Sequence, residues 1–138
     1  MFMILSAVSG ASTPVVAKEV PAPIVETKKV STEQYVKDYF DDIPVMIDIA
    51  RCESHFRQFD KNGEIYRGMV NNQDVGVMQI NEHYHLDIAE KGNYNIYSLS
   101  GNTAYARALY EKSGTAPWIS SRPCWGNSNS ARELAMNK

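Results

Sequence analysis

The stretch from Ile43 to His55 constrains the fold more than any other part of the chain. Val45, Met46, Ile49, Ala50 and Cys52 recur in it at helical spacing, and Pro44 follows Asp41 and Asp42 where a helix would begin. The pattern predicts an amphipathic helix over about 43–55, which must bury its apolar side against other elements. Glu53 lies on that side. It comes seven positions after Met46, four after Ile49 and three after Ala50, separations that share one helix face. A carboxyl among apolar neighbours loses hydration of its charged form, so its pKa is expected to rise. An acid still protonated near neutral pH can protonate a glycosidic oxygen. Taken alone, Glu53 reads more simply as a helix-end residue hydrogen-bonded to a loop. The motifs around it change that balance.

The chain of 138 residues is long enough for one small domain with tails. Residues 1–17, MFMILSAVSGASTPVVA, are apolar and then small, like the later regions of a secretory signal, although no Lys or Arg precedes them. Export is the expectation, with this segment either cleaved or kept as a membrane anchor; a disordered, uncleaved tail is the alternative. Residues 18–30 contain Pro21 and Pro23 and read as a linker. Ser31 and Gln34 have capping-box spacing ahead of Tyr35, Val36, Tyr39 and Phe40, which predicts a helix. Turn residues at 60–63 and 71–74 enclose Ile65, Tyr66, Met69 and Val70, a pattern for a small hairpin or irregular sheet within 57–75.

A short apolar run, 76–81, leads into a predicted helix over Glu82–Lys91, stopped by Gly92. Ser100 or Asn102 is expected to cap the next helix, ended by Gly114 and Pro117. Trp118–Trp125 reads as a compact closing segment, and 127–138 as a polar, frayed tail, so the domain is placed at 31–126. The sum is a mostly helical α+β domain with a small β insert. The net charge is −2, with no block of Lys or Arg, which argues against nucleic acid as a partner.

Three segments follow in order: Ile49-Ala50-Arg51-Cys52-Glu53-Ser54-His55-Phe56, then Asp74-Val75-Gly76-Val77-Met78-Gln79-Ile80-Asn81, then Asn102-Thr103-Ala104-Tyr105-Ala106-Arg107-Ala108-Leu109-Tyr110. Together they closely resemble the soluble lytic transglycosylase family of the lysozyme superfamily, over roughly residues 43–125. The resemblance implies a lysozyme-like fold and cleavage of the MurNAc-β-1,4-GlcNAc bond of peptidoglycan, with Glu53 as acid/base. It implies substrate contacts from Ser54, Gln79, Asn102 and Tyr105. The partner would be peptidoglycan glycan strands, met by a monomer in the periplasm, at the cell surface or outside the cell. No cofactor and no metal are called for. Gln79 offers both a donor and an acceptor to an N-acetylated sugar, and Gly76 permits close backbone approach. Met78 and Ile80 read as core. Of the aromatic residues, Trp118 is singled out as a platform for a sugar ring.

Asp74 leaves the mechanism open. Lytic transglycosylases use one acid and release a 1,6-anhydro sugar. Asp74-Val75-Gly76 also resembles animal lysozymes, where the Asp is a second carboxylate and the bond is hydrolysed. Turn formation after Asn71-Asn72-Gln73 explains Asp74 equally well. The family's later Tyr, which contacts the catalytic Glu, is missing; Tyr105, Trp118 or Ser120 are candidates to replace it. Export would favour a Cys52–Cys124 disulfide stapling the closing segment behind the helix of Glu53, against two buried thiols. Four other readings stand beside these. A lysozyme-like module could grip glycan without cutting it. Cys52, His55, His83 and His85 match no common zinc spacing, and His83 and His85 read as surface residues. Cys52 lacks the surroundings of a catalytic thiolate, and Asp60–Glu64 reads as a turn rather than a calcium loop.

Overall fold

The computed structural model describes residues 9–24 and 27–138. Positions 1–8 of the expected signal segment and 25–26 of the expected linker lie outside the described residues. Residues 9–24 and 27–30 are exposed and carry no regular structure. No helix among the described residues is long and apolar enough to cross a membrane.

The first helix, α1 (Thr32–Tyr39), starts at Ser31, whose hydroxyl accepts from the Gln34 amide N–H at 3.1 Å. Gln34 turns its own side chain to Asp38 instead, at 2.8 Å, so half of the expected capping box forms. Phe40 follows and reverses the chain into α2 (Pro44–Ser54). This helix has the bounds its periodicity predicts, with Pro44 in the first turn and His55 as a left-handed C-cap. It buries Val45, Met46, Ile49 and Ala50 and packs against α1 and the C-terminal elements.

The β structure sits later and is smaller than expected. Residues 57–75 form isolated bridges, Phe59–Ile65 and Arg67–Val75, not a hairpin. The one regular sheet among the described residues pairs β1 (Asp74–Val75) with β2 (Ile80–Asn81), antiparallel, with Asp74 opposite Asn81. The cause is local. Asp60 Oδ1 accepts from the Asn62 and Glu64 amides, and Asn71 Oδ1 from the Gln73 amide, so side chains take donors that a ladder would need.

Asn81 caps α3 (Glu82–Lys91), which stops at Gly92 as expected. The next helix, α4 (Leu99–Ser113), begins earlier than expected. Ser98 is its N-cap, and its hydroxyl accepts from the Gly101 N–H at 3.0 Å. Neither Ser100 nor Asn102 caps it, and Asn102 falls inside the helix with its side chain buried. A 3₁₀ segment, Ala116–Ser121, and a short α5 (Arg122–Trp125) close the domain. The expected frayed tail is instead a helix, α6 (Asn129–Met136), capped by Ser128. Its Ala131 and Leu134, three residues apart, pack against the core beside α2. The protein is thus a mostly helical α+β domain whose core gathers Phe40, Met46, Ile49, Met78, Ile96 and Trp125 around α2.

Cys52 and Cys124 form a disulfide, with Cα atoms 6.0 Å apart across a sequence separation of 72. It joins the end of α2 to α5. For a loop of this length the chain-entropy account assigns about 4 kcal/mol. The double variant Cys52→Ala/Cys124→Ala should lose stability of that order in urea unfolding; a loss below about 1 kcal/mol would mean the denatured chain is already constrained without the bond.

Candidate active site

The last turn of α2 delivers Glu53 to the head of a cleft of about 130 Å³. Asp74, Gln79, Ile80 and Asn81 line it from the β insert, His85 from α3, Leu109 from α4, and Pro117, Trp118 and Ser120 from the 3₁₀ segment. A wider depression of about 510 Å³ lies among Ile119, Arg122, Pro123, Gly126 and Asn127, but no carboxyl lines it. The cleft is where the titratable groups converge.

Glu53 is half-buried. Ser121 Oγ donates to its Oε1 at 2.5 Å, and Trp125 Nε1–H donates in turn to Ser121 Oγ at 3.0 Å. Burial raises the Glu53 pKa above the ordinary carboxylate range; the Ser121 hydrogen bond opposes this, and the charge of Asp74 adds to it. Such a carboxyl holds its proton to higher pH than a solvated one. Because Ser121 engages Oε1, the other oxygen is the one left to carry that proton. Asp74 serves as a turn residue and a cleft residue together: its Oδ1 accepts from Asn81 Nδ2 at 2.8 Å across the sheet, and it faces the cleft.

The turn Gly76–Gln79 joins β1 to β2 and brings Gln79 to the cleft, and with Val75 before it the segment is almost all buried. Its backbone groups cannot reach water and are paired by side chains from four elements. Asn102 Nδ2–H donates to the Val75 carbonyl at 3.0 Å, and its Oδ1 accepts from the Met78 amide at 2.9 Å. Gln58 Oε1 accepts from the Val77 amide, and Ser54 Oγ donates to the Val77 carbonyl, both at 2.8 Å. Trp118 Nε1–H donates to the Met78 carbonyl at 2.9 Å. Gly76 has φ 72°, and a Cβ there would lie 2.5 Å from Asn102 Nδ2 and 2.6 Å from Gln58 Oε1. No side chain fits.

Of the residues picked from sequence, Glu53, Asp74, Gln79 and Trp118 meet in the cleft. Ser54 and Asn102 are fully buried and bound to backbone, so they shape the wall rather than face a ligand. Gln79 has a left-handed backbone, φ 51°, and one N–H of its amide is held by the Gly76 carbonyl at 3.0 Å. Its Oε1 lies against Gly68, where a Cβ would come within 2.7 Å. Trp118 is 3% exposed, which gives a sugar ring little of its face. Tyr105 lies behind the cleft on the His85 side chain.

None of Tyr105, Trp118 and Ser120 makes the contact to Glu53; Ser121 does. A one-residue shift along a 3₁₀ segment decides which serine points inward, and no periodicity reveals that in advance. Gln58 was also missed, since a lone Gln after a helix carries no pattern. His85 is not a surface residue but lines the cleft, four positions after Asn81 on the face of α3 turned inward. Comparison with family models, with curated proteins and with solved structures finds no match for this chain.

Two measurements check the electrostatics. Carboxyl NMR should place Glu53 above the ordinary value of 4.5; Ser121→Ala should raise it further, and Asp74→Asn should lower it. Movement of either variant in the opposite direction would reject the assigned causes. Stability should respond as well. Above its raised pKa, ionised Glu53 penalises the folded state; below the unfolded value the penalty is gone. Glu53→Gln should therefore melt at or above wild type at pH 7, the gap closing as pH falls towards 4.5.

Proposed function

We propose that this protein is a lytic transglycosylase of lysozyme-like fold, which cleaves the MurNAc-β-1,4-GlcNAc bond of peptidoglycan with Glu53 as its acid/base. The observation that carries the reading is the half-buried Glu53 carboxyl at the head of the cleft, held by Ser121 and kept protonated to raised pH by burial. The resemblance of the Glu53-Ser54, Gly76–Asn81 and Asn102–Tyr110 segments to that family supports it.

The steps balance without water. Glu53 gives its proton to the glycosidic oxygen as the C1–O bond breaks, and the GlcNAc side leaves with a free 4-hydroxyl. The acetamido carbonyl oxygen of the MurNAc bonds to C1 and takes up the positive charge. The MurNAc 6-hydroxyl then attacks C1, the acetamido oxygen departs, and the Glu53 carboxylate accepts the hydroxyl proton. The product ends in 1,6-anhydro-MurNAc and Glu53 is restored. Gln79 holds an amide or hydroxyl of the sugar in this reading, supported by the one N–H that the Gly76 carbonyl leaves to it. Glycan strands are the partner, and the Cys52–Cys124 bond fits an oxidising compartment such as the periplasm or the cell exterior.

One observation favours a second reading. Asp74 shares the cleft with Glu53 and raises its pKa, the relation expected of a hydrolase with two carboxylates. Digestion of purified peptidoglycan by the full chain, with mass spectrometry of the fragments, separates the two. Ends in 1,6-anhydro-MurNAc are expected; reducing ends, one water heavier, would establish a hydrolase. Glu53→Gln should lower the rate at least 100-fold (on the order of the general acid contribution). Asp74→Asn should keep cleavage and shift the alkaline limb of the pH profile to lower pH, because Glu53 loses its proton earlier without the neighbouring charge. Loss of cleavage in Asp74→Asn would favour the hydrolase. Binding of glycan with no cleavage by wild type would mean a binding module.

A further inference from the structure

His85 faces the same cleft from α3 and is half-buried. Its Nδ1 lies 2.9 Å from the hydroxyl of Tyr105 on α4. Tyr105 is 4% exposed, and among the described residues its hydroxyl has no other partner. That geometry decides the imidazole tautomer. If Nδ1 carried the ring proton and gave it to Tyr105, the phenol proton would be left without an acceptor in a nearly buried site, which is unfavourable. If the phenol donates to Nδ1, both groups are satisfied and the ring proton sits on Nε2. Burial lowers the His85 pKa and raises that of Tyr105, so both are neutral at pH 7. Among the described residues Nε2 has no hydrogen-bond partner and is not sealed from solvent.

The cleft therefore presents a neutral, oriented N–H donor. A carboxylate or phosphate ligand is better served by a cation, whereas a neutral donor in a half-desolvated site suits a strong neutral acceptor. On an amino sugar that acceptor is the amide carbonyl. We propose that His85 is a substrate-binding residue whose Nε2–H donates to the N-acetyl carbonyl oxygen of a sugar in the cleft, with Tyr105 as its positioning residue. The ligand rests on the saccharide reading of the cleft; the tautomer does not.

The test uses the full chain carrying Glu53→Gln to prevent turnover, with ¹⁵N NMR of the imidazole and chitotetraose as the probe. At pH 7 His85 should show the Nε2–H tautomer, and Tyr105→Phe should lose that preference. A predominant Nδ1–H form, or a doubly protonated ring, overturns the proposal. Chitotetraose should shift the His85 Nε2 resonance. His85→Phe should weaken chitotetraose binding about tenfold, the value of one hydrogen bond. It should leave the de-N-acetylated tetramer unaffected; equal losses for both sugars, or no loss, reject the assigned contact. A sugar that shifts the Gln79 side-chain amide but not His85 sinks this inference and spares the saccharide reading. A sugar that shifts neither removes that reading and the His85 ligand with it.

Discussion

The constraint on which the rest of the structure depends is the buried turn from Val75 to Gln79. A turn makes few backbone hydrogen bonds of its own, and a buried one cannot borrow water. Its amides and carbonyls therefore require side chains, and Ser54, Gln58, Asn102 and Trp118 supply them. These four come from the end of α2, the insert, α4 and the 3₁₀ segment. Satisfying one turn thus fixes the relative positions of four elements around the cleft, and no buried polar side-chain atom is left unpaired among the described residues. Gly76 is the point where this network leaves no room for a Cβ. Two non-glycine residues with positive φ, His55 and Phe56, turn the chain sharply just after Ser54 so that Arg57 N–H returns to the Ser54 hydroxyl at 3.1 Å. That unfavourable backbone is tolerated because the surrounding bonds over-determine it.

A second unit holds the acid itself. Cys52 precedes Glu53, and Cys124 lies three residues after Ser121 and one before Trp125, so the disulfide ties together the segments whose side chains form the Trp125–Ser121–Glu53 chain of hydrogen bonds. Fixing Ser121 matters because the Glu53 pKa is a balance: burial and the Asp74 charge push it up while the serine hydroxyl holds it down. A serine free to rotate to the Trp118 carbonyl, 3.1 Å away, would leave Glu53 without that restraint. The covalent clamp and the tuning of the acid are therefore coupled through one hydroxyl.

Much of the fold was legible where periodicity and caps agree. The bounds of α2, the stop of α3 at Gly92 and the end of α4 at Gly114 follow from local chemistry that tertiary contacts reinforce. The insert was less legible because Asp60 and Asn71 divert backbone donors to their own side chains, which leaves isolated bridges where a small hairpin or irregular sheet was expected. The α6 helix was hidden by polar composition: only Ala131 and Leu134 needed to be apolar to dock it. Glu53, Asp74, Gln79 and Trp118, each in a patterned segment of the sequence, line one cleft in the structure. Ser121, Gln58 and His85 were not legible in the sequence, since their roles depend on rotations that bring distant segments together. Ser54 and Asn102, expected to contact substrate, are instead buried on backbone partners, because a polar residue tied to backbone looks the same in sequence as one facing a ligand.

That last ambiguity has a physical consequence for the whole cleft. A residue whose donors and acceptors are all engaged by backbone is rigid and unavailable; one with a single engaged group is oriented and still free to bind. Ser54 and Asn102 belong to the first kind. Gln79, with one amide N–H on the Gly76 carbonyl, and His85, with Nδ1 on Tyr105, belong to the second. Glu53 is of the second kind too, with Oε1 on Ser121 and its other oxygen without a partner among the described residues. Each of these three half-engaged groups on the cleft wall has one point fixed by the fold, which limits its rotation before any ligand arrives. Preorganisation of this sort lowers the entropy lost on binding and holds donors where charge will develop. The cleft of about 130 Å³ thus carries one carboxyl, one amide and one imidazole, each held by the fold at one point and open at another.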